Sequence, residues 1–140
     1  MEAKINIYRV ITGGVIGGLA MLAIMFFIHA MLLQEEYLVL KEWGTIRQES
    51  NLSGELLHHM AVIMSGIPLA FMYVLVRDKV GAGAGTAIRV GILAWMLYLP
   101  GIITLYAFYN AGTFVPIVTA GGALAASIVG TLIAGSIYKD

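Results

Sequence analysis

The three histidines of the chain are its residues best suited to chemistry, and all of them lie between positions 29 and 59. His29 is near the end of a long apolar segment, and His58 and His59 are just inside the next one. If the two segments are helices that run in opposite directions, a rise of about 1.5 Å per residue brings the three imidazoles to a similar depth. Two facing imidazoles are what axial ligation of a haem b requires, and one can ligate the magnesium of a chlorophyll. The pattern therefore predicts a cofactor site at His29 and His59, or at His29 and His58.

A metal site is a second interpretation, and it depends on the Glu-x-x-His element formed by Glu55 and His58. This spacing brings a carboxylate and an imidazole to one face of a helix, and di-iron carboxylate proteins use the element twice. Here it occurs once. The other histidines, together with Glu35 and Glu36, would complete a copper, iron or zinc site only if the connection between the segments folds back. Glu55 also has a simpler role, since a carboxylate near a helix N-terminus stabilises the helix.

A third interpretation needs no cofactor. In this case His29 hydrogen bonds within the protein, and the pair His58 and His59 lies at the wet surface of the membrane. The chain has neither a nucleophilic triad nor a nucleotide-binding motif, so the sequence gives no indication of an enzyme.

The composition is that of a membrane protein. Hydrophobic residues make up 60% of the 140 residues and charged residues 11%, with a mean hydropathy of +0.91, whereas a soluble domain carries about a quarter charged residues. The net charge is zero, which suggests no nucleic-acid partner. We predict an all-α integral membrane protein, a single membrane domain over residues 1–140 in which four helices cross the lipid bilayer as an antiparallel bundle. The helices are expected at about residues 9–33, 54–76, 88–109 and 115–138.

The polar connection over residues 34–53 is long for a membrane hairpin. Apolar and aromatic residues recur in it at helical spacing with charged residues between them, at Tyr37, Leu38, Leu40, Trp43 and Ile46. The spacing predicts either a short amphipathic helix at the interface or a continuation of the first helix beyond the membrane. Gly44 marks a bend, and Asn51 or Ser53 is expected to cap the next helix.

Small residues form two ridges on the predicted helices. Gly14 and Gly18 lie on the first helix, and Ala126 and Gly130 on the fourth. Without large side chains, helices approach closely and associate in lipid. The ridges exceed what one small bundle uses internally, and this favours a small structural or accessory subunit that packs against other membrane subunits of a larger complex. Respiratory and photosynthetic electron-transfer assemblies are natural hosts for such a hetero-oligomer.

Basic residues predict the orientation in the membrane. Six of the eight fall on one side, at Lys4, Arg9, Arg77, Lys79, Arg89 and Lys139, whereas Lys41 and Arg47 fall on the other. Cytoplasmic loops carry an excess of Lys and Arg, so we expect a multi-pass protein of the cell inner membrane with both termini cytoplasmic and the histidines towards the outer leaflet. No charged residue is expected at mid-membrane, where ion and proton pathways need one.

Overall fold

The computed structural model describes residues 5–49 and 51–138, apart from the side chain of Leu105. These residues form five α-helices and one turn of π-helix, without a strand. The elements are α1 (Ile7–Phe27), the π-helical turn (Ile28–Leu32), α2 (Gln34–Glu42), α3 (Leu52–Val80), α4 (Ala84–Phe108) and α5 (Phe114–Ile137). Four helices, α1 with the π-helical turn, α3, α4 and α5, are long and apolar enough to cross a membrane. The prediction of an all-helical chain with four such helices is therefore confirmed. Lys4 and Lys139 lie outside the described residues.

Side-chain caps and glycines set the helix ends. Asn6 Oδ1 accepts a hydrogen bond from the Arg9 amide at 3.1 Å and so caps α1. Asn51 Oδ1 accepts one from the Gly54 amide at 3.4 Å and caps α3, as the sequence predicts. An N-cap of this kind satisfies an amide that has no partner within its helix. Gly44 has a φ of 70°, which is the left-handed region that glycine adopts without strain, and the predicted bend is found there.

Helix α1 packs between α3 and α5, and α5 also packs along α4. The approach is close because glycines line both sides of α1. A Cβ atom added to Gly14 would lie 2.5 Å from Ile67 Cα in α3, and one added to Gly17 would lie 2.5 Å from the Gly130 carbonyl oxygen in α5. The glycine ridge of α1 is therefore used inside the chain. The prediction that the glycine and alanine ridges exceed what one small bundle uses for its internal packing is therefore wrong.

The two ends of the molecule differ in how tightly the helices pack. The buried residues of α3 all lie in its second half, from Gly66 to Arg77, and those of α4 lie in its first half, from Thr86 to Ala94. The remaining described side chains, over residues 52–65 and 95–108, are at most half-buried. Helices α3 and α4 are thus packed at one end of the molecule and less covered at the other.

Hydrogen bonds tie the helices together at the tightly packed end, which we call the basic end because Arg9, Arg77, Lys79 and Arg89 lie there. The Asn6 amide donates to Tyr138 Oη at 3.1 Å. Arg77 is 8% exposed, donates to the Tyr138 carbonyl at 2.8 Å and lies 5.1 Å from the centre of the Tyr138 ring. These contacts join the start of α1, the end of α3 and the end of α5.

A separate apolar cluster closes the opposite end, which we call the histidine end. Its buried members are Ile28, Leu33, Leu40 and Val115. They come from the π-helical turn, the residue after it, α2 and α5. This cluster holds α2 against the start of α5 and so positions the residues between α1 and α2.

Candidate functional site

The π-helical turn carries His29 and separates α1 from α2. It closes with a hydrogen bond from the Leu33 amide to the Ile28 carbonyl at 3.0 Å, which spans five residues instead of the usual four. Leu33 is fully buried in the cluster of the histidine end, and that burial stabilises the break between the two helices. Single π-helical turns within helices occur often at functional sites. The placement of the His29 side chain therefore depends on this π-helical turn rather than on a regular α-helix.

His29 is paired with Tyr37 of α2. His29 Nδ1 lies 2.5 Å from Tyr37 Oη, and the two rings stack with centres 5.8 Å apart at an interplanar angle of 18°. Both side chains are half-buried. Burial raises the pKa of Tyr37 above its ordinary value of 10.0, because a phenolate is poorly solvated away from water. Tyr37 therefore keeps its proton at neutral pH and has one to donate.

We assign the proton of this hydrogen bond to Tyr37. A phenol is the stronger donor of the two groups, and the unprotonated imidazole nitrogen is the stronger acceptor. With Nδ1 of His29 accepting, a neutral imidazole carries its proton on Nε2. No described residue forms a hydrogen bond with Nε2. His29 thus presents an unused N–H donor.

The pair faces a cavity of about 380 Å³ at the histidine end. The walls come from the π-helical turn, α2, the loop after α2, the end of α4, the loop between α4 and α5, and the start of α5. They are mostly apolar, and the side chains with polar atoms are His29, Tyr37, Thr45, Tyr106, Tyr109 and Thr119. An apolar cavity of this size with a few polar groups is typical of small-molecule sites, which measure about 300–1,000 Å³.

A second cavity of about 320 Å³ adjoins the first between α4 and α5. The two share Ile102, Tyr106 and Pro116 as walls. The other lining residues of the second cavity are apolar except Thr113: Leu99, Ile103, Ile117 and Ala120 complete it. The two cavities are therefore adjacent, and the walls of the first carry more polar side chains than those of the second.

His58 and His59 do not line either cavity. Both lie in α3, where their rings meet edge to face with centres 5.8 Å apart. His58 is exposed and His59 is half-buried. The structure therefore groups His29 with Tyr37 around the cavity, whereas an axial pair of His29 with His58 or His59 stays a prediction.

No complete metal site is found among the residues proposed for one, and the weaker pair of Glu55 and His58 stays a prediction. Within residues 5–49 and 51–138, no group of three or more histidine, aspartate and glutamate side chains could hold a metal ion. Glu55 and His58 are exposed in the first turns of α3, and Glu35 and Glu36 are exposed on α2. The folding back of the connection that a complete copper, iron or zinc site requires is not found among the described residues.

The packing residues lie at contacts between helices. Gly14 and Gly18 face α3, where a Cβ at Gly18 would overlap the Ile63 carbonyl oxygen. Ala126 is 1% exposed, and a Cβ at Gly130 would lie 2.6 Å from Met21 Cγ of α1. All four therefore serve contacts within the chain.

Sequence reasoning missed a second small-residue face on α5. Gly121 and Ala125 are exposed, and a Cβ at Gly121 would have no neighbour within 4 Å. Their spacing of four residues is a small-x-x-x-small pattern that the sequence carries openly. The sequence alone does not show which small residues are exposed, and the structure is needed to distinguish this outer face from the buried face that contains Ala126 and Gly130.

Neither a protein-family model, nor a curated protein, nor a solved structure matches this chain.

Proposed function

We propose that this chain is a small accessory subunit of a larger membrane protein complex, and that its four long helices cross the bilayer as an antiparallel bundle. The bond from the Asn6 amide to Tyr138 Oη supports the opposite directions of α1 and α5, since it joins the start of one to the end of the other. The cluster of Arg9, Arg77 and Arg89 at the basic end supports cytoplasmic termini in a cell inner membrane. Helix α2 then lies at the outer interface, with its Leu40 buried and Trp43, the residue that follows the helix, exposed.

The observation that carries the subunit role is the outer face of α5 formed by Gly121 and Ala125. A glycine inside an exposed helix costs about 1 kcal/mol relative to alanine, and a Cβ at Gly121 would meet nothing within 4 Å, so no close approach within the chain requires glycine there. In membranes such small residues allow another helix to approach closely, so that van der Waals packing stabilises the pair. A helix of another subunit on this face would give Gly121 a role.

The uncovered halves of α3 and α4 offer further contact area. Large apolar side chains are exposed there, namely Leu52, Leu56, Leu57, Met60 and Met64 on α3 and Met96, Leu97 and Ile103 on α4. The exposed His58 lies among those of α3. A polar ring costs more against lipid than against a protein partner that can hydrogen bond to it, which favours a partner along this half of α3.

Mass measurement tests this proposal. The native membrane is extracted with a mild detergent, and the particle that holds the tagged chain is measured by native mass spectrometry. We expect a particle that contains other membrane subunits, of the kind found in respiratory or photosynthetic electron-transfer assemblies. Gly121→Leu should release the chain from this particle, whereas Gly85→Leu, at an equally open helical glycine at the basic end, should not. A monomer or a simple homodimer would overturn the proposal.

A second candidate function is a cofactor carrier that holds a haem b, a chlorophyll or a metal ion near the outer leaflet. The observation in its favour is the half-buried His29 beside a cavity of about 380 Å³. Ligation through Nε2 would require Nδ1 to donate its proton to Tyr37, because a ligating histidine donates its other ring N–H to a second partner. The visible absorption spectrum of the purified protein tests this candidate.

A further inference from the structure

The cavity beside His29 has several polar side chains in its walls, and it shares three lining residues with a second, apolar cavity. His29 Nε2 supplies the donor, and no described residue uses it. The hydroxyl groups of Thr45 and Thr119 line the same cavity. Among the described residues, no buried side-chain nitrogen or oxygen lacks a hydrogen-bond partner, so Nε2 is accessible and a ligand in the cavity can reach it. The acyl chain of a lipid offers no acceptor, so a ligand that satisfies His29 must carry one.

The walls of the cavity beside His29 favour a flat ring. Tyr106 and Tyr109, both aromatic, line the cavity with the stacked rings of His29 and Tyr37. Aromatic side chains stack on, or meet edge to face, other planar rings with centres about 4.5–7 Å apart. A planar head group that carries an acceptor at its edge would therefore contact the rings and His29 Nε2 together.

The second cavity accounts for the rest of such a ligand. It adjoins the first cavity at the shared residues Ile102, Tyr106 and Pro116, and apolar side chains make up most of its walls. Its position between the less covered half of α4 and the start of α5 suits an apolar chain. A ligand with a ring at one end and a hydrocarbon chain at the other matches both cavities.

We propose that this site binds a membrane-soluble quinone, whose ring carbonyl accepts a hydrogen bond from His29 Nε2 and whose apolar chain lies in the second cavity. Tyr37 acts as a positioning residue, because its hydroxyl group holds Nδ1 as the acceptor and so keeps the proton on Nε2. This inference goes beyond the subunit role and does not depend on a partner, because every residue of the site belongs to this chain.

Binding of a short-chain quinone to the purified full chain tests the inference. Decylubiquinone is titrated into the protein in mild detergent and followed by calorimetry, and decylbenzene, which has a ring and the same chain but no carbonyl, serves as the matched ligand. We expect saturable binding of one quinone per chain and at least about tenfold weaker binding of decylbenzene. Equal affinities would mean an apolar groove that accepts any chain, and they would overturn the proposal, as would a lack of saturable quinone binding.

Variants separate the site from the rest of the protein. His29→Phe keeps the ring and removes the donor, so the Kd for decylubiquinone should rise about tenfold. His58→Phe is the matched control at a histidine outside both cavities, and its Kd should stay within about twofold of the wild-type value. Ile102→Trp adds bulk at a residue that lines both cavities while leaving His29 and Tyr37 in place, and should also weaken binding about tenfold or more. Wild-type affinity in both His29→Phe and Ile102→Trp, or an equal loss in His58→Phe, would overturn the proposal.

Discussion

Gly17 of α1 and Gly130 of α5 meet backbone to backbone, so closely that a Cβ atom on Gly17 would lie 2.5 Å from the Gly130 carbonyl oxygen. Neither residue has a side chain that could move aside. The contact lies where α1 is enclosed by α3 and α5, and it accounts for the glycines as part of the fold rather than as a surface kept for other subunits. The outer face of α5 at Gly121 is independent of it.

Gly17→Ala should therefore destabilise the folded chain although alanine is the better helix former. The helix gains about 1 kcal/mol from the substitution, but separating two close-packed helices costs about 1–3 kcal/mol or more. Thermal unfolding in mild detergent measures the balance, and we expect a lower midpoint. Gly121→Ala is the matched control on an open face and should leave the midpoint unchanged or raise it. A Gly17→Ala midpoint at or above that of Gly121→Ala would contradict the packing geometry.

The larger substitutions Gly14→Leu and Gly18→Leu should have stronger effects of the same sign, because α3 passes directly over both positions. Not every open glycine is a suitable control. Gly81 has a φ of 95°, so a leucine there would strain the backbone even without a neighbour. Gly85 is helical and has nothing within 4 Å, and Gly85→Leu should leave the midpoint nearly unchanged. Equal losses at Gly14, Gly18 and Gly85 would mean that the glycines of α1 do not pack.

The long helices could be predicted from the sequence because apolar length and charge spacing alone specify them. The cap at Asn51 and the bend at Gly44 could be predicted as well, since each depends on a local preference. The use of the glycine ridges could not. A small residue indicates that another helix can approach closely at that position. Whether that helix belongs to the same chain depends on how α1, α3 and α5 pack against one another.

The pairing of His29 with Tyr37 was also beyond sequence reasoning. Eight positions turn an ideal α-helix by about 80° beyond full turns, which would hold the two side chains on different faces. The π-helical turn and the break at Leu33 change this relation, and neither glycine nor proline marks them in the sequence. The cavity depends in addition on where α4 ends and α5 begins, so no single segment could reveal it.

The orientation of the chain in the membrane can be tested with single cysteines, because the chain has none of its own. Gln48→Cys lies in the connection after α2, and Ala84→Cys lies at the start of α4, at the basic end. Both positions are exposed. An impermeant maleimide added to intact cells should label the first and not the second, and both should react after the cells are opened. The reverse labelling pattern would mean that the chain has the opposite orientation, with the histidines in the inner leaflet.

The folded protein should retain the Tyr37 proton to a higher pH than an unfolded chain does. The pKa of this tyrosine is raised in the folded protein, so the folded state holds the proton where an unfolded tyrosine has lost it. The stability that this provides is full below pH 10 and is lost as the pH rises above 10 through the folded pKa. The tyrosinate absorbance of wild type minus that of Tyr37→Phe isolates this group, and we expect a midpoint above 10. A midpoint at or below 10 would show that Tyr37 is not buried against His29.

The visible absorption spectrum distinguishes the two roles proposed for His29, a hydrogen-bond donor through Nε2 and an axial ligand of a haem. We expect the purified wild-type protein to lack a Soret band, because Tyr37 as donor leaves the proton on Nε2, where iron would have to bind. His58 and His59 also stand outside the cavity that His29 faces. A Soret band that sharpens on reduction, and that His29→Ala abolishes while the helices still insert, would contradict this and establish axial ligation. His58→Ala and His59→Ala would then identify the second ligand. A red absorbance band lost in a single histidine variant would indicate a chlorophyll, and elemental analysis of the same sample covers copper, iron and zinc.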